Sequence, residues 1–312
     1  MASSKFALVA LFITLLAMVV PGHAEDAAAY VISDSTTGFI LNQYRSDKKL
    51  PIGSLTKIAT AMVVLDWSEA SNSDLSQVAT VPDSAGQVAG GQAQGTGLQP
   101  GDRCSLRDLL YAALMQSDNV AALTLADHVG RAIGGGASPV ESFVSQMNAL
   151  AKTKGMLNTK FLNPHGLDNL QRSVPYSTAA DLAKLTAYAM GNSAFRFYVS
   201  QRERKITLFT AAGQTSYLLR NTNELLGINA IDGVKTGTTA RAGQCVIISA
   251  PKPPDSRQQG DVHIITPRRI NVVVLGATNR FPLAQSLLAQ GWQLYDSWAA
   301  AGRPAKGWKP PR

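Results

Sequence analysis

The stretch Gly53-Ser54-Leu55-Thr56-Lys57-Ile58-Ala59-Thr60-Ala61-Met62-Val63-Val64-Leu65-Asp66-Trp67 decides how this chain is read. From Ser54 to about Trp67 it is built of helix formers and is apolar nearly all round, and a helix without a polar face belongs at the centre of a core. Ser54 and Lys57 stand at its opening, at i and i+3, and so share a face one turn apart. A serine hydroxyl is a poor nucleophile until a nearby base takes its proton. Lysine can be that base where burial or a neighbouring positive charge lowers its pKa. The helix start adds backbone N–H groups and a positive dipole end, which favour an oxyanion beside Ser54. Two other Ser-x-x-Lys copies, Ser46 to Lys49 and Ser249 to Lys252, lie in polar turn segments with no apolar helix behind them. Context sets them aside.

Two further triplets follow in order. Ser117-Asp118-Asn119 falls between helical patterns at Ser105 to Met115 and Val120 to Val129. A loop there suits a cleft, with Ser117 relaying protons between the lysine and a leaving amine and the Asn119 amide holding substrate backbone. All three are also good helix caps, and spacing alone leaves the two readings level. Asp232-Gly233-Val234-Lys235-Thr236-Gly237-Thr238-Thr239 reads as an edge strand lining a cleft. Such a strand can pair with an extended peptide, and Gly237 lets that peptide come close. Lys235 is the candidate for the charge that lowers the pKa of Lys57. Apart from the other motifs, the segment would pass for a lysine in a solvated hairpin.

Moving outward, Ala29 to Ile32 and Gly38 to Leu41 are β-prone runs joined by turn chemistry, and a hairpin is expected. Residues 84 to 102, rich in Gly and Gln, read as a surface loop. Helices are expected at about 139 to 153 and at Thr178 to Met190, the latter capped by Ser177 or Thr178. Gly243 to Ala250 and Ile270 to Gly276 read as strands, separated by an exposed, proline-containing connector over 251 to 269. A final amphipathic helix covers about Pro282 to Ala300. Strands at both ends with helices between them give an α+β fold, in which one mixed sheet uses both termini and carries an inserted helical lobe.

The 312 residues, 45% hydrophobic and 7% aromatic, are an ordinary globular composition. The 29 basic and 21 acidic residues give +8, with the basic ones scattered and no aromatic-interleaved stripe, so nucleic acid is a weak partner. Lys5, the apolar run Phe6 to Val20 and Pro21-Gly22-His23-Ala24 have the layout of a secretory signal cleaved after Ala24. The run is shorter than the roughly 20 apolar residues that span a bilayer, so membrane attachment is expected only if that signal stays uncleaved. The expected layout is a signal peptide at 1–24, a catalytic domain at 25–300 and a basic tail at 301–312. Cys104 and Cys245 are the two cysteines. They either pair, as an exported protein permits, or remain buried free thiols. Neither has zinc spacing, and neither a metal nor another cofactor is expected.

The three motifs match those of penicillin-binding proteins and class A β-lactamases. With Pro51 to Lys57, Gly97 to Asp102, Leu114 to Asn119, Phe161 to Leu167, Asn221-Thr222-Asn223 and Asp232 to Cys245, the chain resembles the low-molecular-mass D-alanyl-D-alanine carboxypeptidases of peptidase family S11. The resemblance covers about 28 to 300. It implies the penicillin-binding, β-lactamase-like transpeptidase fold, a mostly antiparallel sheet flanked by helices with an inserted all-helical lobe. It makes Ser54 the acyl-ester nucleophile, Lys57 the proton acceptor, and Ser117 and Asn119 their partners. Lys235 and Thr236 would hold the substrate's carboxylate, with Gly237 and Thr238 beside them, and the N–H groups of Ser54 and Thr238 would form the oxyanion hole. His165, in a Pro-Gly turn with no acid beside it, is read as structural. The implied partners are peptidoglycan peptides and β-lactams, in the periplasm or wall space.

A class A β-lactamase needs a carboxylate for deacylation, expected as Glu-x-x-x-Asn between the second and third motifs. Glu141, Glu203 and Glu224 are the glutamates there, and none has Asn four residues on. A non-catalytic wall-binding module is disfavoured because no motif is degraded. Larger family members continue into a β-rich domain and an amphipathic anchor, whereas a short tail ends this sequence. Length therefore leaves open stem-peptide trimming, the preferred reading, and cleavage of crosslinks by a DD-endopeptidase.

Overall fold

The computed structural model describes residues 26–89, 95–168 and 174–310. The expected signal segment and its cleavage after Ala24 lie outside the described residues. Strands β1 (Ala29–Asp34) and β2 (Ile40–Tyr44) form the expected hairpin. Its turn is tied by Asp34 Oδ2, which accepts from Thr37 N and Thr37 Oγ1, both at 2.6 Å. After β3 (Leu50–Pro51) come α1 (Lys57–Ser71), β4 (Val78–Thr80), a helical turn α2 (Gly86–Ala89), β5 (Arg103–Ser105) and helices α3 (Leu106–Met115), α4 (Asn119–Ala132) and α5 (Pro139–Thr153). Then β6 (Tyr176–Ser177), α6 (Ala179–Gly191), α7 (Ser193–Val199), β7 (Glu203–Thr210) and β8 (Gly213–Arg220) lead to β9 (Gly233–Thr239), β10 (Gly243–Gln259), β11 (Val262–Ala277) and α8 (Arg280–Ala300).

The main sheet has the order β2-β1-β11-β10-β9 and is antiparallel throughout. Both chain ends therefore build it, as expected, but it is not mixed. Its strand period of two sorts side chains into two cores. Val31, Ile247, Val273 and Leu275 face the helical side with α1, while Ile32, Val246, Val272 and Val274 face α8. The apolar circumference of α1 is buried as the sequence demanded, with Ile58, Met62 and Val64 fully enclosed. Side chains of that size contribute about 1.5–3 kcal/mol each on burial. The cap of α6 falls on Thr178, one of the two expected residues, and Ser105 caps α3 by accepting from Asp108 N at 3.1 Å.

Three expectations need correction. The inserted lobe is not all-helical: it carries a four-stranded sheet, β4-β5-β7-β8. The alternation that should have shown it is Ile206 and Leu208 facing inward on β7. Residues 251–269 are not a loop, because β10 and β11 continue through them as a paired ribbon closed by Gly260-Asp261. Among the described residues no third strand beside this ribbon needs the missing prolyl N–H groups, and a register shift between Lys252 and Asp255 takes up Pro253 and Pro254. Finally, the 84–102 segment is only partly superficial. Ala85, Thr96, Leu98 and Asp102 are buried, and 90–94 lie outside the described residues.

The tail folds back: Trp298 Nε1 donates to Pro304 O at 3.0 Å, Arg303 pairs with Asp255, and Trp308 meets Phe39 edge-on. Among the described residues no helix is long and apolar enough to cross a membrane.

Candidate active site

Ser54 stands in a tight 3-10 turn, Gly53–Thr56, that runs into α1. Gly53 has φ +51°, and an added Cβ would sit 3.4 Å from Thr238 N. The turn is thus pressed against β9. Gly237 serves that contact too, since its own Cβ would meet Ile52 O at 3.0 Å and Leu55 N at 3.2 Å. What crowds Gly237 is the Ser54 turn, a reason the sequence reading had sought in the substrate.

Lys57 is completely buried. Its Nζ lies 2.9 Å from Ser54 Oγ and donates to Asn119 Oδ1 at 2.7 Å and to His165 O at 2.8 Å. The last two atoms can only accept. A neutral amine has two N–H groups and one lone pair. With both N–H groups engaged, the lone pair is left for the Ser54 hydroxyl. Burial lowers the Lys57 pKa to about 7, against the opposing pull of the Asp118 charge. Of the two causes the sequence offers, burial and the charge of Lys235, burial is the one that lowers it.

The second motif divides its roles between neighbours. Asp118 is the cap: its Oδ1 accepts from Ala121 N at 2.9 Å at the start of α4. Its Oδ2 accepts from Thr96 N and Thr96 Oγ1, both at 2.7 Å. With that carboxylate fixed, Ser117 adopts φ +65°, uncommon for a non-glycine residue, and both Ser117 and Asn119 line the cleft. Asp118 takes the cap, and Ser117 and Asn119 stand in the cleft wall.

The third motif forms the sheet edge, as expected. The buried Lys235 Nζ donates to Thr236 O at 3.0 Å. Its pKa is held well below the usual lysine value by burial, with the charges of Lys57 and Arg280 adding to the effect. Thr236 Oγ1 and Thr222 Oγ1 share a 2.6 Å hydrogen bond. The entry to β9 is held by Arg269, whose two terminal nitrogens reach Asp232 Oδ1 and Oδ2 at 2.7 Å each.

Sequence reasoning missed two contributors. Arg280, the first residue of α8, donates through Nη1 to Thr238 Oγ1 at 2.7 Å and to Gly237 O at 3.2 Å. It places a second cation at the third motif, and no local motif announces it. The turn Asn163-Pro164-His165-Gly166 supplies carbonyls to α1. Pro164 O accepts from Thr60 Oγ1 at 2.6 Å, and His165 O holds Lys57. Gly166, at φ +84°, packs so closely that a Cβ would fall 2.0 Å from Gly53 O. Burial, followed by the Lys57 charge, takes the His165 imidazole down to about 3. It is neutral, and its Nδ1 accepts from Leu167 N at 3.1 Å.

Together these groups surround a cavity of about 660 Å³ lined by Ser54, Ser117, Asn119, Thr236, Gly237, Thr238, Glu224 and Arg280. Two decoy motifs fall elsewhere, on the 46–49 turn and on β10. The cysteines are buried free thiols, not a bridge. Burial raises the pKa of Cys104 to about 12 and that of Cys245 to about 11. Among the described residues no cluster of three His, Cys, Asp or Glu could hold a metal ion.

The D-alanyl-D-alanine carboxypeptidase model, peptidase S11, matches residues 17–260. The chain belongs to this family. Within S11, similar proteins include the D-alanyl-D-alanine carboxypeptidase DacC of Escherichia coli, 34% identical over 89% of this chain and 64% of that protein. A D-alanyl-D-alanine endopeptidase of Pseudomonas aeruginosa is 33% identical over 70% of this chain and 65% of its own length. The chain thus spans about two thirds of these relatives. Among solved structures, a Streptomyces DD-transpeptidase superposes with TM-score 0.71 at 30% identity, covering 86% of this chain and 96% of that one. A cefotaxime-bound penicillin-binding protein of Listeria monocytogenes gives TM-score 0.65 at 28% identity, covering 85% and 97%. These likenesses agree with the expected fold, an antiparallel sheet flanked by helices.

Proposed function

We propose that this S11 protein is a serine D-Ala-D-Ala carboxypeptidase that removes the terminal D-alanine of peptidoglycan stem peptides. The observation that carries the reading is the three-point setting of Lys57, which leaves a neutral amine able to do one thing: accept the Ser54 proton. Ser54 Oγ attacks the carbonyl carbon of the penultimate D-Ala while its proton passes to Lys57 Nζ. The developing oxyanion is held by the N–H groups of Ser54 and Thr238, whose segments the Gly53 and Gly237 contacts bring together. The proton then moves by way of Ser117 to the amide nitrogen, the C–N bond breaks, and D-alanine leaves. Water attacks the ester by the reverse route. Asn119 and the backbone of β9 orient the peptide. Lys235, Thr236, Thr238 and Arg280 meet the terminal carboxylate.

The same reading makes the protein a target of β-lactams, which acylate Ser54. It also places the chain outside the cytoplasm, with residues 1–24 as its export signal, 25–300 as the catalytic domain and 301–312 as a basic tail. Crosslink cleavage is the second reading, favoured by the endopeptidase among the relatives. The test is covalent labelling with a fluorescent penicillin. Labelling that persists for many minutes is expected, and none for Ser54→Ala. Label retained by that variant would move the nucleophile elsewhere. Rapid turnover of the penicillin would make the protein a β-lactamase. Efficient release of monomer from a crosslinked dimer, with negligible free D-alanine from a pentapeptide, would decide for the endopeptidase.

A further inference from the structure

One carboxylate in the cleft has no part in the steps above. Glu224 is exposed and lines the same cavity as Ser54, Thr236, Thr238 and Arg280. The chain on either side of it is pinned. Thr222 N donates to Met115 O at 2.9 Å. Asn223 is buried, its Nδ2 donating to Gly233 O at 3.0 Å and its Oδ1 accepting from Leu225 N at 3.1 Å. Leu225 is buried in the core beneath α8. Glu224 therefore projects from a fixed stretch of backbone, without an ion pair among the described residues. Arg220, also at the rim, is taken by Glu203 at 3.2 Å.

Arg280 lines the same cavity as Glu224, and among the described residues the two form no ion pair. Burial lowers the Arg280 pKa, with the Cys245 and then the Glu224 charge opposing it. A cation and a carboxylate that line one cavity without pairing to each other complement a small zwitterion.

We propose that Glu224 and Arg280 grip a free α-amino acid by both of its charges, its carboxylate against Arg280 and its ammonium against Glu224. This rests on the DD-peptidase reading and adds a specificity-determining residue to it. Cleavage supplies the ligand. The amide nitrogen enters uncharged, receives the Ser54 proton as the C–N bond breaks, and takes a second proton from solvent once free. Glu224 thus distinguishes a released product that becomes an ammonium from one that stays a neutral hydroxyl, such as D-lactate released from an ester.

The test measures binding of D-alanine and of D-lactate to the full chain by ligand-observed NMR, in the wild type and in Glu224→Gln. D-Alanine is expected to bind the wild type about fivefold more tightly than D-lactate, the scale of an exposed charge pair. Glu224→Gln is expected to remove that preference while leaving D-lactate unchanged. Equal D-alanine affinity in both proteins, an equal loss for D-lactate, or no D-alanine binding to the wild type would each overturn the proposal. Penicillin labelling of the same samples shows that the variant is folded. It also separates the two ideas: labelled protein without the preference defeats this inference alone, and unlabelled wild type defeats the reading beneath it.

Discussion

If Lys57 works as a base, acylation must follow its titration, and the structure sets where. A pKa of about 7 leaves the amine roughly one-tenth neutral at pH 6, half neutral at pH 7 and nine-tenths neutral at pH 8. The active form is the deprotonated one, so the rate rises with pH, by about tenfold over that span, and then levels. Asn119→Asp supplies an internal control. Its carboxylate would sit where Asn119 Oδ1 now accepts from Nζ at 2.7 Å. An opposite charge this close raises a lysine pKa by about one to three units. Even the smaller shift leaves a tenth of the amine neutral at pH 7, so acylation there falls at least about fivefold and recovers at higher pH. Lys57→Arg keeps the charge but cannot lose its proton, and acylation should fall about 100- to 10,000-fold without recovery. The assay is the second-order rate of fluorescent-penicillin labelling between pH 6 and 9. A profile flat from pH 6 to 8, or an Asn119→Asp midpoint equal to that of the wild type, would refute the assignment of Lys57 as base.

Two smaller perturbations test how the base is held. Gly166→Ala forces a Cβ against Gly53 O and displaces the carbonyl that holds Lys57, so labelling is expected to slow at least about tenfold. Gly38→Ala, at a comparable φ of +74° but in open space, costs about 1 kcal/mol of stability and leaves labelling unchanged; equal rates for the two variants would contradict this account. Arg269→Ala strips a half-buried Asp232 of its two-pronged partner and is expected to lower the free energy of urea unfolding by about 2–3 kcal/mol. A loss under about 0.5 kcal/mol would mean that the pair does not anchor β9.

Features that repeat along the chain were legible in the sequence. The apolar circumference of α1, the cap of α6 and the β1–β2 turn all follow local rules, and the structure keeps them. So were the three motifs, because each brings its chemistry within a few residues. What escaped was assembled at long range. Arg280 reaches Thr238 across more than forty positions of chain, and nothing near it marks that destination. The His165 carbonyl is main chain, so side-chain reasoning passed over it. The 251–269 ribbon was hidden by prolines that are forbidden in a sheet interior but harmless in two strands with solvent on both edges. The second sheet went unseen because, apart from Ile206 and Leu208 on β7, its strands are short or half-exposed, with little alternation to read.

The order of the main sheet has a consequence for the timing of synthesis. β1, made first, pairs along its whole length with β11, made nearly last, with Val31 opposite Val273. The wall of the cleft, β9, and the cation on α8 are likewise late arrivals, whereas Ser54 and Lys57 are among the earliest residues made. Until the last quarter of the chain joins them, Ser54 and Lys57 lack the facing wall of the cleft, although the partners of Lys57, Asn119 and the His165 carbonyl, are already made. The cleft therefore closes around them only when synthesis is nearly complete. Such distant pairings also slow folding, which lengthens the interval in which the chain carries a half-built cleft.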